Sequence, residues 1–165
     1  MLSALCAGLG TAAVIDIRHR RIPNVVCVAT AATGLALAIL GVNSITVTSA
    51  LAGLAFGFLM MLPGHVFGAT GAGDVKLFAA AGTLLGSGRI TKAFLYVAIA
   101  GGVFAVAIAI RRGRLGRTMG MTARLLGRPH KLKTAIESPA EHNRFSYGPA
   151  IAIGCVAAML IGDSL

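Results

Sequence analysis

The sequence is short of charge. Aspartate, glutamate, lysine and arginine make up 12% of its 165 residues, against roughly 25% in a soluble domain. With 56% of residues hydrophobic and a mean hydropathy of +0.84, too little polar surface remains to solvate a globule. The solvent over most of the surface is therefore expected to be lipid. Acidic residues are scarcest of all: 5, against 15 Lys and Arg, for a net charge of +10. A basic balance in a soluble protein points to nucleic acid. Here the cations sit in short segments between apolar runs, which is a topology signal, so the expected partner is the bilayer and not nucleic acid. Cysteine excludes as much as it offers. Cys6, Cys27 and Cys155 lie far apart inside apolar runs with no CxxC pair, so neither a zinc ribbon nor a disulfide framework is supported. They read as buried free thiols that pack as small hydrophobes. The four histidines are scattered, and no Ser–His or Cys–His arrangement emerges. No Lys or Arg precedes Asp16, so the basic n-region of a secretory signal peptide is missing and Met1–Ile15 reads as a retained span.

What is present is a series of six apolar segments, at about 1–17, 25–41, 47–67, 75–86, 92–110 and 147–163. The expected fold is all-α: a polytopic membrane protein of about six transmembrane helices, with residues 1–165 forming one membrane-embedded domain. The fourth segment is too short to cross a bilayer of about 30 Å by itself. Glycine runs through every span, as expected where helices approach closely. Arg18, Arg20 and Arg21 follow the first span directly, the third turn carries His65 alone, and a basic loop at about 111–146 precedes the last span. The fourth turn carries Arg89 and Lys92. The positive-inside rule then puts the first, third and fifth turns in the cytoplasm, with Arg89 and Lys92 as a minor violation. The basic loop reads as a segment lying on anionic lipid, with Glu137 and Glu141 as its only acids.

That orientation matters for two carboxylates. Asp16 closes the first span and Asp74 opens the fourth, so both fall at the cytoplasmic depth. With Asp163, they are the only acids outside the long loop, and acids at the membrane edge are costly enough to be functional candidates. Taken alone, Asp16 reads equally as an interfacial anchor paired to Arg18 or Arg20. Pro23 stops or redirects the chain after it, and Asn24 suits a cap for the second span. Asp74 follows Gly68, Gly71 and Gly73, a segment that permits positive φ or close approach by another chain. Irregular backbone near a membrane is tolerated where protein or a water-filled cavity surrounds it, so this stretch is expected to line a cavity. A phosphate-binding loop is disfavoured, because Asp74 would repel phosphate. Lys76 does not face Asp74 on a helix; it snorkels to the interface or reaches a different acidic partner. Two carboxylates sharing a site hold one proton between them, which supplies a general base and a general acid without metal or cofactor.

The segment Asp-Ile-Arg…Arg-Ile-Pro-Asn at Asp16–Asn24, with Gly-Ala-Gly-Asp-Val-Lys at Gly71–Lys76, resembles the type 4 prepilin peptidases, a family of GxGD aspartic peptidases. Arg-Phe-Ser-Tyr-Gly-Pro-Ala-Ile-Ala-Ile-Gly at Arg144–Gly154 resembles the family's last span, which opens with a Gly-Pro pair. The resemblance implies a catalytic dyad of Asp16 and Asp74, supported by Gly71, Gly73, Lys76, Arg18, Pro23 and Asn24. It implies no cofactor and no metal. The implied activity is removal of a short basic leader from type 4 prepilins or pseudopilins at the cytoplasmic face of the bacterial inner membrane, in association with pilus or secretion machinery. Larger family members carry an N-terminal extension and a loop with two CxxC pairs, associated with methylation of the new N-terminus. This chain has neither and resembles the short form found with Flp/Tad pili.

Two rivals stand beside this. One is a small proton- or cation-coupled transporter or channel using Asp16 and Asp74. It would need a polar pathway through both leaflets, and the second, third and fifth spans lack buried charge. The other is a structural subunit of a pilus or secretion complex with degenerate motifs.

Overall fold

Runs of Ala, Leu, Val and Gly of this length can satisfy all their backbone hydrogen bonds within one segment only as helix. The computed structural model describes residues 2–19, 21–42, 44–66, 70–111 and 147–161, and every regular element among them is a helix. In chain order they are α1 (Leu2–His19), α2 (Asn24–Ile39), α3 (Val47–Val66), α4 (Ala72–Arg111) and α5 (Gly148–Ile161). Residues 112–146 of the basic loop, with Glu137 and Glu141, and also Arg20, Gly68 and Asp163, lie outside the described residues.

Each helix end has a local cause. Arg18 and His19 fill the last turn of α1, where cations complement the negative pole of the macrodipole. Pro23, in extended backbone, is the N-cap of α2 and no side chain caps that helix. The expected cap at Asn24 is therefore corrected: Asn24 is already the first helical residue. Gly41 ends α2 at φ +64. The Gly41 N–H donates to the Ala38 carbonyl and the Val42 N–H to the Leu37 carbonyl, a Schellman closure that needs a residue tolerant of positive φ.

α4 is not one straight rod. Gly86 interrupts it at φ 74, ψ 173, a region essentially reserved for glycine. The five helices thus contain six straight segments, with α4 divided into arms before and after residue 86. The first arm, 14 residues from Ala72 to Leu85, is about 21 Å long, in keeping with the short fourth segment. The break costs one residue, not a loop. Arg89 and Lys92, expected in a turn, lie on the second arm instead. The Ser87 N–H, which the break would leave without a helical acceptor, donates to Ser49 Oγ of α3 at 3.3 Å.

The chain forms two compact units, residues 1–101 with 146–165, and 102–145. In the second, the described residues are the final helical stretch of α4, 102–111. In the first, α1 packs on α2 and on α5, and α2 packs on α3. Leu5, Leu9, Phe78, Leu84, Ile90 and Ile151 are buried at its centre. Small residues bring the helices together. A Cβ at Gly53 or Gly82 would collide with the other's carbonyl oxygen, and one at Gly34 would collide with Thr83 Oγ1.

Asp16, Asp74, Thr30 and Thr83 are buried, while Val25, Val28, Leu51, Leu59, Leu95 and Ile99 are exposed. By length and composition, α3, with 20 residues and a mean hydropathy of 1.7, is the one helix among the described residues able to cross a membrane unaided. The helices α2 and α5 are apolar but shorter. Cys27 and Cys155 are buried free thiols; Cys6 is exposed, against expectation. The reason is helical phase: Leu5 and Leu9 take the inward face of α1, and one residue on turns the side chain by about 100°.

Candidate active site

Asp74 is placed by its own helix. It stands in the first turn of α4, where the macrodipole favours a carboxylate. Asp74 Oδ2 accepts the Gly71 N–H at 3.0 Å, and the Asp74 and Val75 N–H groups return to the Gly71 carbonyl. This is the reaching-back half of a capping box, with Gly71 as the cap and Asp74 three residues on. Neither Gly71 nor Gly73 is among the glycines at positive φ, which are Gly41 and Gly86. Of the two uses expected of these glycines, Gly71 and Gly73 show close approach and not positive φ. A Cβ at Gly71 would stand 3.1 Å from Asp74 Oδ2, and one at Gly73 would stand 3.2 Å from Ile22 Cβ.

Asp16 is placed by a different helix. It lies near the C-terminal end of α1 and its side chain turns inward. Its Oδ2 accepts the Gly148 N–H, the first of α5, at 3.0 Å in a buried hydrogen bond. The Asp16 side chain is buried, and that of Arg18, two residues on, is exposed.

The two carboxylates, 5% and 7% exposed, belong to one helical unit and lie within electrostatic reach of each other. The segments bearing them also touch. Ile22 packs over Gly73, and Lys76 Nζ donates to Asn24 Oδ1 at 3.0 Å. The acidic partner considered for Lys76 is replaced by this neutral amide. Pro23 delivers Asn24 to that position by ending the extended link after α1.

Sequence reasoning did not reach three features. The Gly148 N–H is a backbone group with no side-chain signature, and the Gly-Pro pair was its only visible mark. Tyr147, one residue earlier, lies within electrostatic reach of Asp74, and its ring covers Gly101 so closely that a Cβ there would meet the hydroxyl at 2.6 Å. The Ile22–Gly73 contact depends on how two distant segments dock. No group of three or more His, Cys, Asp or Glu side chains gathers among the described residues.

Comparison with known proteins gives two findings. Residues 3–106 match the family model described as type IV leader peptidase family. A prepilin leader peptidase/N-methyltransferase of Bacillus subtilis (strain 168) is 30% identical over 110 residues, which is 67% of this chain and 34% of that protein. The chain therefore spans about a third of the length of the curated relative it matches. No solved structure matches it.

Proposed function

The chain belongs to the type IV leader peptidase family, and from that membership we propose that it is a membrane aspartic endopeptidase whose catalytic pair is Asp16 and Asp74. One observation carries the reading. Two carboxylates are buried within electrostatic reach of each other, each holding a glycine N–H. Two such groups do not both ionise easily and share one proton. The ionised member takes a proton from the attacking water as its oxygen bonds to the scissile carbonyl carbon. The protonated member gives its proton to the departing amine as the C–N bond breaks. The pair ends with its roles exchanged and one proton still between them.

The surroundings support a site at a membrane edge. The outward apolar side chains and inward small and polar ones suit lipid on the outside and close helix packing within. With α4 divided at Gly86, six helical segments are available for a multi-pass arrangement in the bacterial inner membrane. By the positive-inside rule, Arg18, Arg20 and Arg21 favour a cytoplasmic turn after α1, which supports a site for both aspartates at that face. The substrate class is a prepilin or pseudopilin with a short basic leader, cut just before its apolar helix.

The test is cleavage of a synthetic peptide bearing a basic leader, a glycine at the junction and an apolar segment, by the purified protein in detergent. Asp16→Asn and Asp74→Asn each reduce cleavage to the blank rate while the protein still inserts. Product from either variant removes the dyad. The same assay separates a peptidase from a transporter or a structural subunit, neither of which cuts the peptide.

A further inference from the structure

We propose that the start of α5 is a positioning element of the site: the Gly148 N–H holds the Asp16 carboxylate in its reactive orientation. The inference rests on reading Asp16 as catalytic. It goes beyond that reading because Gly148 lies outside residues 3–106, the stretch that the family model matches.

The argument begins with an electrostatic asymmetry. Asp74 lies in the first turn of its own helix and draws on the positive pole and on the Gly71 N–H, three residues away. Asp16 lies three residues before the end of α1 at His19, on the side where the macrodipole disfavours an anion. The carboxylate is buried. One donor comes from 132 residues further on, where the amino end of the 14-residue α5 points its first N–H at Asp16 Oδ2. A hydrogen bond to a charged, buried acceptor is among the stronger ones.

Local sequence singles out that amide. Pro149 follows and has no N–H, so in the first two positions of α5 Gly148 is the sole backbone donor. Gly148 also has to lack a side chain: a Cβ there would stand 2.9 Å from Asp16 Oδ2 and 3.0 Å from Asp16 Cβ. Two contacts seat the helix. Tyr147 covers Gly101, and Gly154 lies so close to Val97 that a Cβ would meet its backbone nitrogen at 2.6 Å. The carboxylate orientation is therefore set by where α5 docks.

The experiment replaces the Gly148 peptide N–H by an ester oxygen, using glycolic acid in the full-length chain. This deletes the donor and adds no atom. Asp16→Asn, Gly148→Ala and Gly10→Ala are measured beside it, the last because a Cβ at Gly10 meets nothing within 4 Å. The ester protein keeps the wild-type unfolding temperature to within a few degrees. Its kcat on the peptide falls about ten- to hundred-fold, the scale of one lost charge-assisted hydrogen bond, with KM within about two-fold. Gly148→Ala falls at least as far, and Gly10→Ala is unchanged. If the ester protein turns over at the wild-type rate, or loses activity through KM alone, the positioning role is overturned. If Asp16→Asn still cleaves, the dyad itself has failed, and that outcome is separate.

Discussion

At the scale of single residues, the site is built less from side-chain partners than from absent side chains. Gly71, Gly73 and Gly148 each leave space where a Cβ would press on Asp74, Ile22 or Asp16. Gly73→Ala is expected to push Ile22 away and to lower kcat on the leader peptide by an order of magnitude or so. Adding Ile22→Ala makes room again and restores most of that loss, whereas removing a backbone donor would not be rescued. Lys76 and Asn24 form the other link between the two segments. A double-mutant cycle of Lys76→Ala and Asn24→Ala, read by kcat/KM, gives a coupling of about 0.5–1.5 kcal/mol, the range of one hydrogen bond. Additive effects would show that the link does not matter to cleavage.

At the scale of elements, the Gly86 break decides how α4 is used. The backbone at φ 74, ψ 173 costs a residue with a Cβ about 1–3 kcal/mol, and that Cβ would also meet Ser49 Oγ at 2.8 Å. Gly86→Ala is expected to lower the unfolding midpoint in detergent. Ser49→Ala leaves the Ser87 N–H without the acceptor it now has and costs about 1–3 kcal/mol in the same assay. The two effects fall short of additive when combined, since both act on one junction. The crossing of α3 on α4 at Gly53 and Gly82 tolerates no side chain, because backbone meets backbone there. Alanine at either is expected to be the more damaging change.

At the scale of the molecule, the outward face is the feature to test. Leu51 and Leu59 are exposed on α3, which has the length to span a bilayer. In a soluble protein, Leu59→Lys at an exposed position would be near neutral. In lipid it costs about 2.5–3.5 kcal/mol of insertion near the helix centre. A membrane-insertion assay is expected to show that penalty, and unimpaired insertion would argue against lipid contact there. In a background without Cys6, Cys27 and Cys155, single cysteines at Arg21 and Thr70 are expected to label from one side of the membrane. A cysteine at Thr46 is expected to label from the other.

Much of this was legible along the chain. Scarcity of charge and long apolar runs point to helices, since within a single segment only a helix satisfies the backbone without water. The break between the first two helices followed from Pro23, because a breaker acts locally. Asp16 and Asp74 were marked by their rarity and by the residues beside them. The turn expected around Arg89 and Lys92 was misplaced because one glycine at positive φ can do the work of a loop, and charge alone does not reveal it. The partner of Lys76, the contact of Ile22 with Gly73 and the amide at Gly148 lay beyond the sequence. Each joins segments 51 to 132 residues apart, and their meeting depends on how closely glycine-bearing helices pack. The sequence by itself determined which residues carry charge into an apolar chain. Only the tertiary structure decided what holds each charge in place, because a buried carboxylate takes its donors from whichever backbone the packing brings to it.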